Sequence, residues 1–178
     1  MKRISNRQPS LKPQDLMVAL KLLVLGSTAT TYVELGQALG MAPSEVHASV
    51  GRASASRLLS IQDDRPVVVR AALAEFLLHG AKYAFPATFG STTRGVATAY
   101  AAAPLASRVS QPNELPPVWP DSHGELRGIA FYPLYPTAPA AARRDHAFYE
   151  LLALFDAVRG GTARERQLAG QLLNERLS

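Results

Sequence analysis

The 178-residue chain has no cysteine. A disulfide scaffold, a thiolate zinc site, an iron–sulfur centre and a cysteine nucleophile are therefore excluded. The absence also agrees with a reducing compartment. A long apolar run is missing too. The longest stretch, Leu16 to Leu25, is interrupted by Lys21 and is about half of the roughly 20 residues needed to span a bilayer. Lys2, Arg3 and Arg7 lead into neither an apolar segment nor a small-residue cleavage site, so no signal peptide is expected. The expectation is a soluble, cytoplasmic protein with no membrane partner.

Motifs for catalysis and metal binding are scarce. The four histidines, His47, His79, His123 and His146, show no ligand spacing, and H-E-x-x-H is absent. Asp121 with His123, and Asp145 with His146, are isolated pairs without a nucleophile. The stretch Gly90-Ser91-Thr92-Thr93-Arg94-Gly95 lacks the Lys-Ser/Thr of a phosphate loop. It reads as a surface turn, with a secondary role for Arg94 in backbone or partner contact. No G-x-S-x-G elbow occurs. The chain is expected to be no enzyme, to bind no metal and to need no cofactor.

What the chain has is positive charge and enough apolar residues for a core. It holds 19 Lys+Arg against 14 Asp+Glu, a net charge of +5, and 47% apolar residues. The charge is uneven. Residues 1–110 hold twelve basic and six acidic side chains, whereas residues 111–178 hold seven and eight. A basic N-terminal half points to a polyanionic partner.

Four segments are expected. Residues 1–12 form a basic N-terminal arm. Residues 13–84 form a helical domain with a hairpin. Its first helix spans 13–25, with Pro13 in the first turn, Asp15 at the positive end of the dipole and Gly26 as the stop. A second helix spans Tyr32–Leu39, with Thr30 or Thr31 placed to cap it. A third starts at Pro43 and runs to about Arg57. A short hairpin over 58–69 turns at Gln62-Asp63-Asp64-Arg65, and a fourth helix covers about 70–83. Residues 85–144 carry nine of the thirteen prolines and seven aromatic residues. They read as an ordered, extended segment that packs on the chain or on a partner, the alternative being a mobile linker. Residues 145–178 read as a C-terminal helical hairpin, broken at Gly160-Gly161 and restarted by the capping box Thr162-Ala163-Arg164-Glu165. The fold class expected is mainly α.

The most informative stretch is TYVELGQALGMAPSEVHASVGRASASRLL, residues 31–59. It reads helix, tight turn at Gly40, helix. Leu35, Leu39, Val46 and Val50 form a shared apolar seam, and Gly36 lets the helices approach. The opposite face of the second of these helices is small and polar: Ser44, His47, Ala48, Gly51 and Arg52. Such a face fits a major groove about 12 Å wide.

The stretch resembles the DNA-binding half of bacterial winged helix-turn-helix regulators of the MarR-like kind, over roughly a third of the chain, residues 13–70. The resemblance implies a winged helix-turn-helix fold, with the hairpin as its wing and Arg65 at the tip. Ala42 replaces the serine that usually caps the recognition helix, and that helix carries only Arg52, with Arg57 further on. The resemblance implies a sequence-specific regulator that binds double-stranded DNA as a homodimer and reads a palindromic operator with helix 43–57. Ser44, His47, Ala48, Gly51 and Arg52 would line the groove. Arg65, Lys2, Arg3, Arg7 and Lys12 would hold phosphates. The C-terminal helices and the aromatic middle would form the dimer. A second reading is an antitoxin-like protein that binds an operon-encoded partner through residues 85–144. Residues 76–105 and 149–169 resemble the C-terminal part of such small regulators.

Overall fold

A computed structural model describes residues 10–110 and 114–178. The first helix, α1 (Pro13–Leu25), stops at Gly26, which adopts φ 58°. Every residue from Asp15 to Leu23 is buried. A helix buried all round is a central helix, and α1 is enclosed by the N-terminal and C-terminal elements together.

Helices α2 (Tyr32–Leu39) and α3 (Pro43–Ala55) follow. Thr31 caps α2. Its hydroxyl accepts the Glu34 N–H, and the Glu34 carboxylate accepts the Thr31 N–H at 2.7 Å. Gly40 closes α2 in the left-handed region at φ 68°, where a side chain is strained. Leu35, Leu39, Val46 and Val50 form the expected seam and are all buried.

Strands β1 (Leu59–Gln62) and β2 (Arg65–Val68) make an antiparallel hairpin. Its two-residue turn is Asp63-Asp64, both at positive φ. Arg65 is therefore not at the tip. It opens β2 opposite Gln62, because the two aspartates satisfy the turn on their own. The expected fourth helix is one helical rod interrupted midway. It runs from α4 (Arg70–Glu75) through a π-helical turn, Phe76–Gly80, into α5 (Ala81–Ala84). Leu73 and Leu77 face the core.

The mainly-α expectation is corrected by residues 89–131, which make the fold mixed α/β. Strand β3 (Phe89–Ala97) pairs antiparallel with both β4 (Pro117–Pro120) and β5 (Leu126–Phe131), and β4 pairs in parallel with β5. Three strands thus close on one another. Closure this tight needs missing side chains. A Cβ on Gly95 would lie 2.0 Å from the Trp119 carbonyl oxygen. Within residues 85–144, Val118, Trp119, Ala130 and Phe131 are buried.

After the short helix α6 (Ala138–Ala142), α7 (His146–Gly160) and α8 (Ala163–Leu177) form the expected helical hairpin. Its apolar face lies on its own chain. Phe148, Leu151, Leu152 and Phe155 of α7 belong to the same core as Leu16, Leu20 and Leu23 of α1. The buried Asp156 of α7 ties this hairpin to the strands. Its carboxylate accepts the Thr98 hydroxyl at 2.7 Å, the Trp119 indole N–H at 2.6 Å and Arg159 at 2.8 Å. Burial pushes the Asp156 carboxyl up, against the pull of Arg159 and the two neutral donors.

Candidate nucleic-acid interface

Pro43 starts α3 with Ala42 in the cap position, and no side chain caps this end. The apolar side of α3 packs through Val46, Val50 and Ala53. That packing turns Ser44, His47, Ala48 and Gly51 outward, and all four are exposed. The His47 ring meets Tyr32 of α2 edge-on, with centroids 5.4 Å apart. The imidazole is thus steadied from one side and open on the other. Gly51 occupies the middle of this face, and nothing lies within 4 Å of where its Cβ would be.

Arg52 differs from its four neighbours. Its guanidinium grips the Asp15 carboxylate of α1 through two atoms, Nε at 2.9 Å and Nη2 at 2.6 Å, and Nη2 also reaches the Ser49 hydroxyl at 3.2 Å. The Asp15 carboxylate is fully buried and also accepts the Lys12 N–H. The hydrogen bond to Asp15 pushes the Arg52 pKa up. Arg52 thereby fixes α3 against α1. Its Nε and Nη2 donors are committed inside the molecule.

Further bonds hold α2 and α3 to the rest of the chain. Tyr135 donates its hydroxyl to Glu45 of α3 at 2.7 Å, which pushes the phenol pKa up. Arg144, just beyond α6, donates to the Gln37 carbonyl of α2 at 3.2 Å. Both anchors come from residues 135–144, within the segment expected to pack on the chain or on a partner.

Of the cations expected to hold phosphates, Lys12 and Arg65 are exposed. Lys2, Arg3 and Arg7 lie outside the described residues. Arg57, just after α3, is exposed in the left-handed region at φ 61°. The hairpin tip between β1 and β2 is acidic. Among the described residues no group of three or more His, Cys, Asp or Glu could hold a metal ion, and no helix is long and apolar enough to cross a membrane.

Comparison with protein families, with curated proteins and with solved structures returns no match.

Sequence reasoning missed the Asp15–Arg52 pair and the Asp156 cluster. Asp15 carried a signal in hindsight: a carboxylate that opens the uniformly apolar run Leu16 to Leu20 needs a cation from elsewhere.

Proposed function

We propose that the protein is a sequence-specific DNA-binding transcription regulator of the winged helix-turn-helix kind, with α3 in the major groove and the β1–β2 hairpin as the wing. Ser44, His47, Ala48 and Gly51 meet the base edges. Arg52 sets the angle of the helix. A homodimer places two copies of α3 about one helical turn of DNA apart, on a palindromic site.

The observation that carries this reading is Gly51. Glycine inside a helix costs about 0.5–1 kcal/mol relative to alanine. Neither of the usual structural reasons for it applies here, since its φ is helical and no neighbour approaches. A helix that gives up this stability in the middle of an exposed, uncharged face keeps room for something outside the molecule. A nucleic-acid duplex is the partner that fits a narrow, small-residue helix face on a basic half-chain.

The test is selection from a pool of random duplexes at several salt concentrations, with wild type and Gly51→Glu. We expect wild type to enrich a palindrome, with affinity falling steeply as salt rises. We expect Gly51→Glu to abolish enrichment while its thermal unfolding stays within a few degrees of wild type. Absence of duplex binding by wild type at low salt would overturn the reading.

A second reading is an antitoxin-like role, favoured by Phe89, Leu115, Leu126 and Tyr132, large apolar side chains left half-exposed in residues 85–144. It requires a defined partner protein bound by this surface, and polar substitution of Phe89 and Tyr132 would then release that partner without touching DNA binding.

A further inference from the structure

The interface just described has a face for bases, and Lys12, Arg57 and Arg65 are exposed cations among the described residues. Arg52 is bonded to Asp15, and the hairpin tip is acidic. A large share of affinity for a duplex comes from neutralised phosphates, so further cations on the surface would add to it.

The pairing of β3 with β5 places Arg94 directly opposite Arg127. Both residues are exposed, and no carboxylate lies within 4 Å of either guanidinium among the described residues. Side chains directly opposite on antiparallel strands sit about 5 Å apart at Cβ, and like charges there oppose the pairing. The register gains nothing for the fold from two arginines, because Thr92–Ile129 and Thr93–Gly128 pair beside them without charge.

This pair is connected to the helix-turn-helix. The Arg94 carbonyl accepts the Asp121 N–H, and the Asp121 carboxylate is ion-paired to Arg143. The next residue, Arg144, is exposed and bonded to the Gln37 carbonyl of α2. A short series of bonded residues thus leads from the three strands to the helix that precedes α3.

We propose that Arg94 and Arg127 form a two-guanidinium clamp for the phosphate backbone of duplex DNA, outside the segment read by α3. The clamp rests on the DNA-binding reading above. Two forks set side by side suit phosphate oxygens, which accept paired N–H donors. Such contacts add affinity and register but carry no base preference.

The experiment measures binding of full-length protein to its selected duplex as a function of salt, for wild type, Arg94→Ala/Arg127→Ala, and Arg164→Ala/Arg166→Ala on α8. The third protein loses the same charge from another exposed element. For the clamp variant we expect the slope of log affinity against log salt to fall by about 1.8, two phosphates at 0.9 each. The enriched sequence should not change, and the melting temperature should hold or rise as the like-charge pair is removed. The α8 variant should keep the wild-type slope. An unchanged slope in the clamp variant, or an equal fall in the α8 variant, would overturn the clamp while leaving the role of α3 intact. Failure of wild type to bind any duplex at low salt would overturn both.

Discussion

At the residue scale, Arg52 and Gly51 are neighbours with opposite duties. Arg52 is the only Arg or Lys on α3, and its position invites a base-reading role. The buried Asp15 carboxylate claims it instead, because an ionised carboxylate without a partner in the core is far costlier than a lost surface contact. Arg52→Ala should therefore act first on stability. Leaving Asp15 buried and unpaired should cost about 3–5 kcal/mol in a urea titration. The double replacement Asp15→Leu/Arg52→Leu should recover much of that loss, since no uncompensated charge remains. Additive losses in the double variant would show that the two groups are not coupled. A base-reading arginine would behave differently: its removal would leave the urea midpoint alone and relax the selected sequence.

At the element scale, what was legible depended on how local the cause was. The bounds of α1, α2, α7 and α8 follow from Pro13, the Thr31 and Thr162 caps and the glycine stops, all of which act within one turn of helix. The three strands do not read this way. Strand β4 is Pro-Val-Trp-Pro, with proline at both ends, and β3 is rich in glycine and threonine without period-2 alternation. Their pairing joins segments far apart in sequence and depends on glycines such as Gly95 that admit a neighbouring backbone. No short window contains that information. The outward face of α3 was legible because a helix seam fixes the opposite side. The partners of Arg52 and of Glu45 were not, because they arrive from α1 and from Tyr135. The β1–β2 hairpin was legible, but Arg65 was set at its tip instead of just beyond it. Asp63 and Asp64 both take positive φ, the arrangement that Asn-Gly fills at least cost. Asp63→Asn/Asp64→Gly should raise stability by about 1 kcal/mol in thermal unfolding, by relieving strain of the left-handed kind. The same change removes two negative charges from the hairpin. If the hairpin lies along phosphates, as the proposed function has it, duplex affinity at low salt should rise as well. A more stable hairpin with unaltered affinity would place the tip away from the DNA.

At the scale of the whole molecule, α1 is the axis. Buried on all sides, it meets α3 through Asp15 and α7 through Lys21. The Lys21 ammonium lies 2.5 Å from the Asp145 carboxylate and over the Phe148 ring. Asp145 also caps α7, accepting the Phe148 N–H at 3.0 Å. Burial pushes the Asp145 carboxyl up, but the Lys21 bond and the α7 backbone donors outweigh it, and the net shift is below the ordinary 3.8. A carboxyl depressed on folding favours the native state above its unfolded pKa. That contribution is lost as pH falls through the lower folded-state value. Asp145→Asn separates the two duties of this side chain, because asparagine caps a helix about as well as aspartate but carries no charge for Lys21. At pH 7 the variant should lose about 2 kcal/mol, the scale of a hydrogen bond to a charged group. As pH falls below the ordinary 3.8, its stability should converge on that of wild type. Denaturant titrations of both proteins across the acid range decide the point. A gap that persists unchanged into strong acid would assign the loss to the cap, and would remove the Lys21–Asp145 bond as the tie between α1 and the C-terminal hairpin.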